Sequence, residues 1–448
     1  MKQFFLLSAL FFMFLACEKV NSNVEESIQE TENLISQQKA LEMVISQMAF
    51  FDNSGNSATK NKNYELLNFA IIPPLTKSES NSPLYLFNFK DNSGYAIISA
   101  DKRDHNRIYL VSTEGYIDVN ILNYKYSPYN LIYQCINKCQ ALAISNYEEN
   151  FTTKAKEEEV IVTTTVSTYG PYLSTRWVQG YPFNQTLRES KGFPINCYVG
   201  CAPVAIGQIL AHDTTINSMS YLSNSNNVIN FNMNNIRSIL SQYDAEEDYN
   251  TNGGILAKQV SDFLYYIGEA IQTEYTYNNE KGYYEGKSRP VDFADGLERF
   301  GYTCTALTEY DLETVKGYLH SNTPVLINGY SNNTSTDNHT WIIDGHKTIL
   351  EEHRTYDENG NLLENNELND YNFNVTNTYL HCNFGWENRK ANGDYHTARI
   401  LEVQGWPTRT YINSDIFKSS NMYYPENSNE SGNFEYIDLR IMSNIRQN

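Results

Sequence analysis

The segment Gly200-Cys201-Ala202-Pro203, running into Val204-Ala205-Ile206-Gly207-Gln208-Ile209-Leu210, constrains this chain more than any other: a helix starts at a cysteine. The first turn of a helix carries unpaired N–H groups and a partial positive charge, which favour a thiolate over a thiol. Pro203 suits that start, because proline is accepted in the first helical turn and not deeper. The same residues also suit a small side chain buried at a helix start, since free cysteine is among the most buried residue types. The segment alone leaves both readings open.

A cysteine nucleophile in peptide hydrolysis works with an imidazole that takes its proton, a group that orients the imidazole, and donors for the developing oxyanion. Candidates for each lie in the same half of the chain. His339 precedes the apolar run Thr340 to Ile343. Asn383 closes Tyr379-Leu380-His381-Cys382-Asn383-Phe384, where its amide is able to accept from the imidazole. Gln179, in Arg176-Trp177-Val178-Gln179-Gly180-Tyr181, offers an amide to an oxyanion. Taken singly, each reads as an ordinary strand-edge histidine, turn asparagine or surface amide. The order Gln, Cys, His, Asn is what joins them. Cys197 lacks the helix start and is the weaker nucleophile candidate. A metal site from Cys197, Cys201, His381 and Cys382 lacks the tight paired spacing of structural zinc sites.

The chain has 448 residues, enough for two or three domains, and its 41% hydrophobic and 13% aromatic content is that of a folded protein. A net charge of −20 argues against nucleic acid as a partner. No uninterrupted apolar run reaches the roughly eighteen residues of a spanning helix. At the N-terminus, Lys2 and the apolar run Phe4 to Leu15 read as an export signal. Ala16-Cys17 closes it in a pattern that resembles a bacterial lipobox, with Cys17 lipidated as the mature first residue; a plain secretory signal is the alternative. The other six cysteines do not form a disulfide framework. Cys135 and Cys139 instead suit two buried thiols on one helix face.

Leu41, Val44, Ile45 and Met48 recur at helical spacing. Leu84 to Phe89, the turn Asp91-Asn92-Ser93-Gly94 and Tyr95 to Ala100 predict a hairpin, Arg107 to Thr113 a third strand, and Tyr129 to Tyr147 a helix. This smaller α+β unit ends near Asn150. Residues 151–167, charged and then β-branched without an amphipathic period, read as an exposed linker open to proteolysis. Beyond it, helices are predicted around Leu256 to Ile267, Val291 to Phe300 and Leu312 to Leu319. Strands are predicted at Pro324 to Ile327, at Trp341 to a turn at Gly345, at Tyr379 to Phe384 and at Ala398 to Val403, with a polar hairpin excursion from Glu351 to Thr378. Helices first and strands late predict an α+β fold with a helical side and an antiparallel sheet side.

Four stretches together resemble the streptopain family of papain-like cysteine peptidases. Tyr169-Gly170-Pro171 through Pro182-Phe183-Asn184 resembles the start of the mature enzyme, and Gly200 to Leu210 its nucleophile segment. Asn338-His339-Thr340-Trp341-Ile342-Ile343-Asp344-Gly345 is similar to its histidine segment, and His381-Cys382-Asn383-Phe384-Gly385-Trp386 to its Asn-Trp-Gly-Trp segment. Asn88-Phe89 through Gly94 to Asp101 is similar to its propeptide, so the likeness runs from about Leu84 to Trp386.

The resemblance implies a papain-like fold and a peptide-bond hydrolase needing no cofactor or metal. Cys201 would be nucleophile and His339 general base and acid. Asn383 would orient the imidazole, and Gln179 would share the oxyanion hole with the Cys201 N–H. It further implies residues 1–16 as signal, 17–150 as an inhibitory prodomain, 151–167 as the linker holding the activation cleavage, and 168–448 as the peptidase domain. The chain would be exported from a bacterial cell, lipid-anchored or secreted, and would act on peptide or protein substrates. Three features depart from the family pattern: Asn338 replaces the usual glycine, Phe384 the first tryptophan, and Glu387 and Asn388 the glycines after Trp386. These changes bear on the active-site loop and substrate access. They also support a second expectation, a catalytically weak or inactive surface protein that binds peptides or a host partner on the same fold.

Overall fold

One antiparallel sheet carries strands from both ends of the chain. The computed structural model describes residues 34–51, 64–74, 82–104, 108–119, 158–223, 225–279, 282–331, 338–357, 359–364, 372–385, 394–397, 436–443 and 445–447, together with helical positions between 133 and 144. Helix α1 spans Gln37–Phe51. Strands β1 (Leu66–Ile72), β2 (Leu84–Phe89), β3 (Tyr95–Ser99) and β4 (Ile108–Ser112) form a meander. β2 and β3 are buried along their whole length, as their near-continuous apolar sequences require. The expected turn joins them, with Asp91 and Asn92 at φ 56° and 53°, in the left-handed region these two residue types tolerate.

The sheet continues through β5 (Glu158–Tyr169), β6 (Val325–Ser331), β7 (Asn338–Tyr356), β8 (Phe373–Asn383), β9 (Asp394–Thr397) and β10 (Tyr436–Met442). Its order is β1-β2-β3-β4-β9-β8-β7-β6-β10, closed by the two-residue strand Thr308–Glu309. β7 is the long central member. Its first half pairs with β6, its second half with β5, and β8 lies along its other edge.

Helix α2 (Cys201–His212) is buried from Ala202 to Ala211, as expected of a helix apolar on every side. It packs between helix α3 (Ile255–Ala270) and the sheet. α3 turns Ala257, Val260, Phe263, Leu264 and Ile267 inward at helical spacing. Two cores result, one on each face of the sheet, and strand alternation sorts residues between them. Leu326, Ile342 and Met442 join α2 and α3 in the first core. Val325, Ile327, Trp341 and Ile343 point the opposite way, into a second core that they share with Leu86, Ile97, Leu110 and Tyr133. Among the described residues, no helix is long and apolar enough to cross a membrane.

Several expectations change. Residues 158–169, placed largely in a linker, form β5, which pairs with β7 from His346↔Tyr169 to Tyr356↔Glu158. The segment carries no amphipathic period because it is an edge strand whose Thr164, Thr165 and Val166 stay exposed. β7 does not turn at Gly345 but runs on to Tyr356. Gly345 instead permits a close approach: a Cβ there would lie 2.8 Å from the Tyr169 carbonyl oxygen and 3.1 Å from the Pro171 Cα.

The sheet also crosses the boundary expected near Asn150, since β4 pairs with β9 through Val111↔Tyr395 and Leu110↔His396. Ile35 to Asn448 cluster as one unit. Cys139 is buried on the expected helix. Cys17, Cys135, Trp386, Glu387, Asn388 and the strand expected at Ala398 to Val403 lie outside the described residues.

Gly345→Ala is expected to lower stability by about 1–3 kcal/mol, because the atoms it meets are backbone. Urea unfolding followed by tryptophan fluorescence measures it, and an unchanged midpoint would refute the close-approach reading.

Candidate active site

The thiol is set by a short chain of backbone constraints. Gly200 precedes α2 at φ 102° and ψ 148°, a conformation that L side chains rarely adopt. Just before it, Val199 N donates to Gln179 O at 2.9 Å, and Tyr198 N donates to Tyr284 O at 2.9 Å. The approach to the helix is thus held between the Gln179 segment and the hairpin Glu274–Asn278/Tyr283–Lys287. Gln179 is half-buried beside the nucleophile turn, and among the described residues its side-chain amide enters no hydrogen bond.

Cys201 Sγ accepts a hydrogen bond from the Thr340 N–H at 3.4 Å. This bond brings the helix start against the first residues of β7. Cys201 keeps part of its surface open, yet the protein around Sγ desolvates it and pushes the thiol up. Hydrogen bonds from Thr340, Ala202 and its own N–H pull the other way, as a helix start should. Thr340 was not singled out in the sequence. Its buried hydroxyl also accepts from Asn328 Nδ2 at 2.8 Å.

His339 is buried on the other face of β7. Its ring stacks on Trp341, with centroids 5.8 Å apart, and on Phe384, at 6.1 Å. Burial lowers its pKa to about 4, with a backbone hydrogen bond at Phe384 acting in the opposite sense. The structure therefore brings Cys201 next to the residue adjoining His339, while the thiol's own partner is Thr340. A neutral thiol and a neutral imidazole are the resting forms that these environments favour.

Asn383 does not take the imidazole-orienting position expected of it. Its Nδ2 donates to Thr175 O at 3.1 Å and to Gln208 Oε1 at 3.0 Å, and its Oδ1 accepts from Gly385 N at 3.1 Å. The amide cannot be turned over, because a carbonyl only accepts and a backbone N–H only donates. Both of its donors are spent inside the scaffold, and a hydrogen bond to the imidazole comes from the backbone of the next residue. Phe384 is buried, with its ring stacked on His339. Asn338 opens β7 opposite Tyr330.

The other cysteine candidates are scattered. Cys197 lies in the first core with its Sγ 3.7 Å from Asn184 Nδ2, and burial raises its thiol to about 11. Cys382 lies in the second core, and His381 Nδ1 meets Asp344 Oδ1 at 2.5 Å. Among the described residues, no three His, Cys, Asp or Glu side chains gather as metal ligands.

Residues 177–395, which hold the thiol, the imidazole and both amides, match the model of the Peptidase C10 family. Over this stretch the chain is similar to the streptopain family of peptidases. Neither the curated proteins nor the solved structures give a match.

The site carries an acid liability. His339 takes up its proton near pH 4 when folded and near 6.5 when unfolded, so the unfolded chain binds more protons between those values. The stability that depends on neutral His339 is full above about pH 6.5 and lost as pH falls towards 4. His339→Gln is expected to reduce the drop in unfolding free energy between pH 7 and pH 4.5 by roughly 2 kcal/mol. An identical drop in both proteins, measured by urea unfolding, would contradict a buried neutral imidazole.

Proposed function

We propose that the chain is the zymogen of a papain-like cysteine endopeptidase, with Cys201 as nucleophile. The observation that carries this is Cys201 at the first turn of a buried helix, hydrogen-bonded to the residue beside His339, within the stretch that matches the peptidase family. In the reaction, His339 takes the thiol proton and Sγ attacks the peptide carbonyl carbon. The oxyanion is held by the Cys201 N–H and the Gln179 amide. The C–N bond breaks as His339 gives its proton to the leaving amine. Water then adds to the thioester, with His339 as base, and frees the acid and the thiol. The residues use no metal or cofactor for these steps.

Latency is part of the proposal. Residues up to about 150 act as an inhibitory prodomain, covering the active-site strand from the histidine's side. Trp341 and Phe384, which stack on His339, share their core with Ile97, Leu110 and Tyr133 of this N-terminal segment. Gln47 Nε2 of α1 donates to the buried Glu351 Oε1 at 2.7 Å, and Lys347 Nζ lies 5.1 Å from the centre of the Phe51 ring. Arg176, three residues before Gln179, pairs with Glu114. Removing the prodomain releases His339 to engage the thiol. Export and a lipid at Cys17 belong to the same proposal. The second reading, a peptide-binding surface protein with a weak or silent site, draws on the thiol being held above its usual range.

Incubation of the purified chain, with mass spectrometry of its products and a casein assay, separates the two. Loss of roughly the first 150 residues and onset of hydrolysis are expected in the native chain and absent in Cys201→Ala. Iodoacetamide labelling of Cys201 near pH 7 is expected to quicken at least tenfold after processing, as the thiol becomes a thiolate. A chain that stays inert after the N-terminal segment is cut away by an added protease would sink the enzyme reading.

A further inference from the structure

Gln208 is the one polar side chain in the run from Val204 to Leu210, and it is fully buried. A polar group there is costly unless its hydrogen bonds are met. Its Oε1 accepts twice: from the Trp177 N–H at 3.1 Å and from Asn383 Nδ2 at 3.0 Å. Each of these three residues shares a short segment with a member of the site. Gln208 lies seven residues, two turns, beyond Cys201 on the same helix. Trp177 is two residues before Gln179, in an irregular segment whose Thr175 carbonyl also takes the second Asn383 proton. Asn383 directly precedes Phe384, whose backbone bonds the imidazole.

We infer that Gln208 is a positioning residue: its single carbonyl oxygen joins the nucleophile helix, the oxyanion segment and the histidine-holding strand at one point. It touches no reacting atom. The inference rests on the peptidase reading and adds to it the part that sets the spacing of its three arms. The donors are fixed in identity, since a backbone N–H and an amide N–H₂ can only donate to Oε1. The acceptor is therefore the working feature, and Gln208 Nε2 has no hydrogen-bond partner among the described residues.

That asymmetry supplies the test. Gln208→Met keeps the length of the side chain and removes the acceptor. Gln208→Glu keeps an acceptor oxygen for both donors. With the processed enzyme and a fluorogenic peptide, Gln208→Met is expected to lose at least tenfold in kcat with KM within about threefold, because misplacement by even an ångström carries a rate cost of this order. Gln208→Glu is expected to recover most of that loss, with far-ultraviolet circular dichroism of both variants matching the parent. Parental kcat in Gln208→Met would overturn the inference, and so would equal losses in both variants. Failure of either variant to fold would overturn it too, since the side chain would then serve the fold alone. If the native chain neither hydrolyses peptide nor labels at Cys201, the peptidase reading itself has failed, an outcome seen before any Gln208 variant is compared.

Discussion

The alternation of β7 is the constraint on which the site depends. Successive residues of a strand face opposite sides, so a strand between two cores must divide its functional groups between them. Ile342 faces α2, and Thr340 meets the thiol, while His339, Trp341 and Ile343 line the other core. The thiol and the imidazole thus come from opposite faces of one short stretch. Both meet the sheet in the same region, where β7 begins and β8 ends at Asn383. Both cores pack against that stretch, and half of the second core's buried residues come from the N-terminal segment.

Asn383 shows how a motif residue can keep its place and change its task. The backbone amide of Gly385 and the carbonyl of Thr175 fix which way its side chain faces, whatever the imidazole does. The imidazole is then held through the backbone at Phe384, and a backbone group is the same whatever the side chain. Position 384 is left only the work of a flat ring stacked on His339 and on Trp341, 5.4 Å away, which phenylalanine performs as tryptophan would. The replacement of the first tryptophan in the motif is therefore compatible with an intact site.

Much of the fold was legible because the signals were local. The helix at Cys201, the α3 stripe and the β2–β3 hairpin each follow from spacing within about a dozen residues. β5 was not, for a physical reason: an edge strand with Thr164, Thr165 and Val166 exposed has no apolar period to read, and its partner lies almost two hundred residues on in β7. β1, another edge strand, went unread, and Gly345 was taken for a turn because its crowding comes from Tyr169 and Pro171, also far away in sequence. At the candidate site, the order of Gln179, Cys201, His339 and Asn383 is a sequence signal, but their hydrogen bonds are not. Which donor meets which acceptor is decided by tertiary neighbours. Gln208 was the exception that carried a local signal, a lone amide in an otherwise apolar helix.

The electrostatics of the resting site follow from the same packing. Desolvation raises the thiol and lowers the imidazole, so each group is neutral for the same reason and neither supplies the charge that would ionise the other. A thiolate–imidazolium pair forms when the two charges stand close enough for their attraction to exceed the cost of burying them. Sγ takes its hydrogen bond from the Thr340 backbone, and the imidazole packs against Trp341 and Phe384, so each group is held among neutral neighbours. The charge state at Cys201 is thus set by burial against the hydrogen bonds of Thr340 and of the helix start.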